Sequence, residues 1–129
     1  EIFCWGKNVS GQLGLDNRDT QNTPILCSSL VNEDIVDIKC GVYNTLVLTS
    51  NGDVLSCGKN EYGQLGRETD DEYCSYFKKI EGLPTIRRVE CGYSNSFCID
   101  IDNDLFVFGV NDNGQLGLGD TDRNRCGQL

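Results

Sequence analysis

The sequence predicts an all-β fold made of repeated sheets. Three observations carry this prediction: one motif occurs three times, a second motif recurs with the same period, and hairpin turn signals fall at matching places between apolar runs. Apolar residues show no sustained 3.6-residue period in any segment. Short strands are therefore the expected elements throughout the chain.

The first motif is a strand-like run followed by Gly-x-Asn-x-x-Gly-Gln-Leu-Gly. Its three copies cover residues 3–14, 55–66 and 106–117. The glycine before Gln-Leu-Gly lies at positions 11, 63 and 114, so the copies are 52 and 51 residues apart. A fixed period of this length is typical of solenoids and propellers, in which each repeat is one structural unit.

The second motif is a β-branched run that ends in Cys-Gly. Residues 35–44 match residues 86–95 with an offset of 51. Two motifs with one period divide the chain into repeats at 2–53 and 54–104 and a partial repeat at 105–129. We expect residues 1–129 to form one incomplete arc of such repeats.

Hairpin signals separate strand-like runs at equivalent places in two repeats. Asn51-Gly52 lies between residues 46–50 and 53–57, and Asn-Gly favours a type I′ turn, which needs positive φ at both central residues. Asp102-Asn103 takes the same place one period later, and Asn tolerates left-handed backbone. Each period has room for about four short strands, which indicates a partial β-propeller of four-stranded antiparallel blades.

Composition argues against several classes of partner. The formal net charge is −9, from 20 acidic and 11 basic residues, whereas nucleic-acid binding depends on Lys and Arg neutralising phosphates. Nucleic acid is therefore not expected as a partner. No apolar run approaches the roughly 20 residues that span a bilayer, so no membrane span is expected.

The eight cysteines include no Cys-x-x-Cys pair, and the chain has no histidine. A zinc site made from close cysteine pairs is therefore not expected. Several cysteines lie in apolar strand-like runs, which favours reduced core residues of an intracellular protein over the alternative, a secreted disulfide scaffold. The expected location is cytoplasmic or nuclear, with a cytoskeletal or ciliary structure as a further possibility.

No catalytic, cofactor-binding or metal-binding constellation is visible. The absence of histidine removes most acid–base and triad chemistry. The Gly-Gln-Leu-Gly segments lack the Lys-Ser/Thr that completes a phosphate-binding loop. Residues 100–104 resemble the start of a calcium loop, but Leu105 and Asn111 replace its required Gly and Glu. We predict that the chain is not an enzyme and holds no cofactor.

Structural roles explain the Gly-Gln-Leu-Gly segments better. Their glycines provide backbone angles that are closed to other residues. We expect the leucines to fill the space between blades and the glutamines to satisfy buried backbone groups. These residues are Leu13, Leu65 and Leu116, and Gln12, Gln64 and Gln115.

The repeats diverge most strongly at residues 67–73, which are more acidic than the equivalent residues 15–22. One interpretation is a solvated loop. The other is a contact loop, because loops on a rigid scaffold often carry recognition. The candidate partner-binding residues are Glu68, Asp70, Asp71, Glu72 and Tyr73.

Together the two motifs resemble the regulator of chromosome condensation repeat, whose mark is an aromatic-Gly-x-Asn-x-x-Gly-Gln-Leu-Gly segment followed by a Cys-Gly strand pair. The resemblance covers nearly the whole chain. It implies a seven-bladed propeller of four-stranded blades, of which about two and a half repeats are present. Where the family usually has His-Thr after Cys-Gly, this chain has Asn44-Thr45 and Asn95-Ser96.

The resemblance implies a protein-interaction module within a larger protein, such as a scaffold or a regulatory subunit. The alternatives are guanine-nucleotide exchange on a Ran-like small GTPase and a structural element of a cytoskeletal or ciliary assembly. Fold alone does not decide among them. The remaining blades are expected from the same polypeptide or from another subunit; the first is favoured because the chain starts within a strand at Ile2-Phe3 and stops in mid-repeat.

Overall fold

The computed structural model describes residues 1–122 and 125–128 and confirms the all-β prediction. The strands are β1 Phe3–Gly6, β2 Gln21–Leu26, β3 Ile35–Cys40, β4 Asn44–Thr49, β5 Val54–Lys59, β6 Tyr73–Lys79, β7 Ile86–Cys91, β8 Asn95–Asp100, β9 Leu105–Gly109 and β10 Arg125–Gln128. A 3-10 helix covers Ser28–Leu30. The described residues contain no helix that is long and apolar enough to cross a membrane. Residues 123, 124 and 129 of the third predicted repeat lie outside the described residues.

The strands form three antiparallel sheets, which are the propeller blades that the sequence predicts. Blade 1 contains β1 and β2, blade 2 has the order β3-β4-β5-β6, and blade 3 has the order β10-β9-β8-β7. Each four-stranded blade begins at a Cys-Gly strand and ends with the strand after a Gly-Gln-Leu-Gly segment. Blade 2 therefore contains strands from both sides of the repeat border at 53/54, and blade 3 contains strands from both sides of the border at 104/105.

The two predicted hairpins lie at the predicted places, but their turn type differs from the prediction. β4–β5 and β8–β9 pair antiparallel. The Thr49 N–H donates to the Asp53 carbonyl at 2.9 Å, which leaves three residues in the loop. Positive φ occurs only at the last of them, at 83° for Gly52 and, in the second hairpin, at 72° for Asn103. The expected type I′ turn is wrong, because a three-residue loop combines a type I turn with one left-handed residue.

The acidic run after β8 is part of this second turn. The buried Asp100 carboxylate accepts hydrogen bonds from the backbone N–H groups of Asp102 and Asp104, at 2.9 and 2.8 Å. An aspartate that accepts from the backbone two residues on is the usual Asx turn. The run therefore has a structural explanation.

The main core lies in the seam between blades 2 and 3. Aliphatic residues from β4, β5 and the β6–β7 connection face residues of β7, β8 and β9 across this seam. They are Leu46, Leu48, Val54, Ile80, Ile86, Val89, Cys98 and Phe108. Leu65 and Leu116 are fully buried as predicted, whereas Leu13 is partly buried. Burial of such side chains contributes about 1.5–3 kcal/mol each, so blade-to-blade packing is the main stabilising contact.

Asparagines of the first motif organise its turn, a role that the sequence analysis did not assign to them. Asn8 is fully buried; its side-chain oxygen accepts from the Leu13 N–H at 3.0 Å, and its amide donates to the Asn17 carbonyl at 2.9 Å. Asn111 makes the equivalent bonds. Asn60 accepts equivalently from the Leu65 N–H, but its amide donates to the Arg67 carbonyl, two residues earlier in the loop. The predicted glutamines accept from the N–H two residues earlier in their own turn. The asparagine therefore ties each turn to the loop that follows it.

Hydroxyl groups connect neighbouring blades across the seams. The Thr45 hydroxyl donates to the Gln12 carbonyl at 2.7 Å, and the Ser96 hydroxyl donates to the Gln64 carbonyl at 2.6 Å. Ser96 also accepts from the Asn44 amide at 3.2 Å. Thr45 follows Asn44 and Ser96 follows Asn95, the two asparagines at the place where the family usually has histidine. The hydroxyl residue at this position of the repeat therefore links each blade to the one before it.

Ser96→Ala is expected to destabilise the chain by about 1–3 kcal/mol, because it removes the hydrogen bond to the buried Gln64 carbonyl and leaves the Asn44 amide with only its long contact to the Cys91 sulfur. Urea unfolding measures the change. Ser96→Thr is the matched control, since Thr45 holds the equivalent position and makes the equivalent bond. If the urea midpoint of unfolding of Ser96→Ala equals that of the parent, the hydrogen bonds of the Ser96 hydroxyl do not contribute to stability.

The seven cysteines whose side chains are described are free thiols. Four are buried as expected for core residues, but Cys40 is exposed, because it lies at the end of β3 on the side where blade 1 has only two strands. Burial raises the pKa of Cys98 to about 12 and, as the largest of several causes, that of Cys4 to about 11. These two thiols are therefore protonated near neutral pH, whereas the thiolate is the reactive form.

Candidate interaction face

One end of the blades carries the three long connections, and we call it the long-loop face. It consists of residues 7–20, 60–72 and 110–122 with the short turns 41–43 and 92–94. Alternate connections of an antiparallel sheet lie at the same end, which puts the β3–β4 and β5–β6 connections together. The Val42 N–H donates to the Tyr93 carbonyl at 3.3 Å and joins the short turns of blades 2 and 3.

The long-loop face is strongly acidic. Residues 7–20, 60–72 and 110–122 contain three basic residues, Lys7, Arg18 and Arg67. The same three ranges contain ten acidic residues: Asp16, Asp19, Glu61, Glu68, Asp70, Asp71, Glu72, Asp112, Asp120 and Asp122. This face therefore accounts for half of the chain's 20 acidic residues and most of its charge imbalance.

A cluster around Tyr43 joins blades 1 and 2 on this face. The Lys7 and Lys59 ammonium groups lie 5.2 and 5.9 Å from the centroid of the Tyr43 ring. Lys59 forms ion pairs with Glu61 and, at 3.5 Å, with Glu72. The hydrogen bond that the Lys59 ammonium donates to the Glu61 carboxylate is the largest cause that raises the pKa of Lys59. These partly exposed contacts contribute little stability each, about 0–1 kcal/mol, but they fix the relative position of three connections.

The base of the predicted contact loop is held by Arg67. Its guanidinium donates to the Ser56 hydroxyl at 3.0 Å, to the Ser56 carbonyl at 2.8 Å and to the Cys74 sulfur at 3.3 Å. The equivalent residues of the other repeats are Leu15 and Leu118. The sequence analysis assigned no role to Arg67; the change from leucine to arginine was the available signal.

Hydrogen bonds within the loop hold its backbone. The Asn60 amide donates to the Arg67 carbonyl at 2.9 Å and to the Thr69 hydroxyl at 3.0 Å. The Thr69 hydroxyl in turn donates to the Asp71 carbonyl at 2.6 Å. The loop is therefore built as an ordered element.

The predicted site residues divide into two groups. Glu68, Asp70 and Asp71 are exposed and form no salt bridge with any residue in 1–122. Glu72 pairs with Lys59, and the half-buried Tyr73 begins β6 with the Arg18 guanidinium 4.3 Å from its ring centroid. All four carboxylates are therefore exposed, one of them in an ion pair, and only Tyr73 packs partly into the face.

Two open grooves flank this loop. One, of about 580 Å³, is lined by residues that include Glu61, Arg67 and Glu68, and the other, of about 500 Å³, by residues that include Arg18 and Tyr73. Asp71 and Glu72 line both, so they form the ridge between them. Within the described residues, no group of three or more His, Cys, Asp or Glu side chains is placed to hold a metal ion. The geometry fits a polar contact surface.

Comparison with known proteins gives a family for the repeats. A sequence model described as the regulator of chromosome condensation (RCC1) repeat matches residues 1–48 and 51–99, and a second model of the same description matches residues 35–64 and 86–115. The chain is 36% identical over 126 residues to the probable E3 ubiquitin-protein ligase HERC4 of Mus musculus, which covers 96% of the chain and 12% of that protein. It is 37% identical over 119 residues to the protein RCC2 homolog of Danio rerio, covering 91% and 24%.

The blades also match solved structures. Prp20p from Saccharomyces cerevisiae, studied for its binding to Gsp1p and histones, superimposes with a TM-score of 0.81 at 22% identity, covering 95% of the chain and 32% of Prp20p. The chain thus spans about an eighth to a third of the length of these proteins.

Proposed function

Because the chain belongs to the regulator of chromosome condensation (RCC1) repeat family, we propose that it serves as a protein-interaction module of a larger propeller protein, a scaffold or regulatory subunit, whose long-loop face contacts a protein partner. The contact residues are Glu68, Asp70, Asp71, Glu72 and Tyr73. The domain unit is one arc of repeats, with further blades completing the propeller.

The observation that carries this proposal is the set of three carboxylates that have no ion pair within residues 1–122, on a loop with a fixed base. Glu68, Asp70 and Asp71 face solvent, while Arg67 and Asn60 hold the backbone beneath them. A loop that is already ordered loses little conformational entropy on binding. Uncompensated charges on such a loop speed association with an oppositely charged surface and select against like-charged ones.

We expect no catalysis from this chain. It has no histidine, and burial raises the pKa of thiols such as Cys98. One relative, HERC4, is named as a probable ubiquitin ligase, but this chain corresponds to only 12% of its length.

A Ran-like small GTPase is the partner class that the family likeness adds to the proposal, since Prp20p is described by its binding to Gsp1p. The described part of this chain supplies no separate evidence for nucleotide exchange, and a structural role in a cytoskeletal or ciliary assembly is the other alternative. An intracellular location, cytoplasmic or nuclear, is part of the same proposal, and the free cysteines support it.

Charge reversal tests the contact loop. The variant Glu68→Lys, Asp70→Lys, Asp71→Lys is compared with Glu33→Lys, Asp34→Lys, Glu81→Lys, which changes the formal net charge equally at the opposite end of the blades. Proteins captured by the parent from a cell extract are purified and measured singly by calorimetry, together with a purified small GTPase. The loop variant is expected to bind the partner at least about tenfold more weakly, a loss of about 1.4 kcal/mol.

The control variant is expected to keep the parent affinity within about twofold. Equal weakening by both variants would mean that net charge alone drives binding. If the loop variant keeps the parent affinity, the proposed contact residues are wrong and the partner binds another surface. Circular dichroism of both variants verifies that the blades remain folded.

A further inference from the structure

Thr69 is followed directly by three acidic residues, a pattern that no other serine or threonine of the chain shows. The three residues are Asp70, Asp71 and Glu72. Thr69 lies in the connection between β5 and β6, and its side chain is half-buried. Its neighbours on both sides, Glu68 and the three acidic residues, are exposed. A second protein can therefore contact the segment that carries the hydroxyl group.

The Thr69 hydroxyl makes two hydrogen bonds in this connection. It accepts from the Asn60 amide at 3.0 Å and donates to the Asp71 carbonyl at 2.6 Å. Residues 67–72 belong to no strand. Presenting the hydroxyl to an enzyme therefore breaks these two bonds in a local opening that leaves the paired strands of blade 2 intact.

The equivalent position in the connection of blade 3 already holds a carboxylate. Asp120 lies 51 residues after Thr69, just as Asn111 lies 51 residues after Asn60. The Asp120 carboxylate accepts from the Asn111 amide at 2.9 Å and from the Asp122 backbone N–H at 3.1 Å. The fold thus accommodates an acidic group at this position of the repeat. A phosphate on Thr69 can use the corresponding donors, which are the Asn60 amide and, once that peptide turns, the Asp71 N–H.

Arg67 limits the class of enzyme that fits this segment. An arginine two residues before a threonine would suit a kinase that selects basic residues, but this guanidinium donates to Ser56 and Cys74 beneath the loop. The accessible charges around Thr69 are therefore acidic. Because kinases select substrates by charge pattern, the complementary enzyme has a basic substrate groove.

We propose that Thr69 is a phosphorylation site for a protein kinase that selects acidic residues after its target. The Thr69 hydroxyl oxygen attacks the γ-phosphorus of ATP, and the bond between that phosphorus and the departing ADP oxygen breaks. The hydroxyl proton passes to a base of the kinase, so the products are phosphothreonine and ADP. The phosphate takes the position that the Asp120 carboxylate has in blade 3, and it adds about 1.5–2 negative charges to the long-loop face.

Labelling with ATP and a purified serine/threonine kinase of this acid-directed class tests the site on the folded chain. We expect mass spectrometry to find about one phosphate per chain, at Thr69. Thr69→Asn removes the hydroxyl and is expected to reduce labelling at least about tenfold. It is the matched variant for folding, because Asn17 holds the equivalent position in the first repeat. Asp70→Asn with Asp71→Asn keeps the hydroxyl and is expected to be labelled at least about tenfold more slowly.

A peptide of residues 62–76 is the positive control for the enzyme. Labelling of the peptide without labelling of the folded chain would mean that the fold masks the hydroxyl, and it would overturn the proposal. Absence of label in both, or label at another residue of the chain, overturns it as well. An equal rate for the Asp70→Asn, Asp71→Asn variant would contradict recognition through the acidic residues.

Thr69→Asp tests the position of the added charge without a kinase. Since Asp120 occupies the equivalent position, the urea midpoint of this variant is expected to equal that of Thr69→Asn. A clearly lower midpoint would show that the loop of blade 2 does not accept an anionic group there, and would overturn the placement of the phosphate. These measurements include no partner protein, so their outcome is independent of the proposed function.

Discussion

Gly58→Ala is expected to be among the most destabilising single substitutions in this chain, with a loss of about 3 kcal/mol or more. Gly58 has φ +111°, a conformation that residues with a Cβ rarely adopt. An added Cβ would also lie 2.2 Å from the Tyr43 carbonyl oxygen and 2.8 Å from the Asn44 Cα, and both are backbone atoms that cannot rotate away. Strain and steric overlap therefore add.

Gly6→Ala is the matched control because it separates these two causes. Gly6 has φ +102°, but an added Cβ there meets no atom within 4 Å. Only the conformational strain applies, so the expected loss is about 1–3 kcal/mol. Urea unfolding of the two variants measures the difference. Equal losses would show that the close approach of Tyr43 to Gly58 has no energetic consequence.

Leu46→Ala is expected to destabilise the chain by about 2–5 kcal/mol, because it opens a cavity between blades 2 and 3. The Leu46 side chain is fully buried and belongs to the core cluster that joins the two blades. Unlike an exposed substitution, this one removes contacts from both sides of the seam. Thermal and urea unfolding measure the change in the free energy of unfolding. We also expect blades 2 and 3 to unfold less cooperatively in the variant than in the parent.

Phe97→Ala is the comparison for Leu46, since both residues hold the same position of the repeat, 51 residues apart. Phe97 is larger but only partly buried, because the described chain has no further blade on that side. Its replacement is expected to cost less than that of Leu46. If Phe97→Ala costs more, side-chain size outweighs the seam between blades, and the role assigned to that seam is wrong.

Much of the fold could be predicted from the sequence because the signals are local. Alternating apolar runs define strands, and residues such as Gly52 and Asn103 mark the one position in each hairpin that needs left-handed backbone. Since both motifs share one period, the antiparallel blades followed as well. The acidic loop at Glu68 to Glu72 was recognised because its composition departs from that of the other repeat.

Contacts between distant segments could not be predicted in this way. The hairpin loop has three residues because of backbone pairing between Thr49 and Asp53, which the Asn-Gly pair alone does not specify. Arg67 reaches Ser56 and Cys74 beneath the contact loop, across two strands. That contact decides that the loop is an ordered surface.

The sequence by itself therefore determined the period, the strands and the family likeness, since strand pleat and turn chemistry depend on neighbours along the chain. Only the tertiary structure decided which equivalent residues are buried. Val89 and Ile38 match in the repeat, yet one is fully buried and the other 37% exposed. Burial depends on whether a β4-like strand lies in the adjacent blade, because each blade buries its apolar face only against the next one.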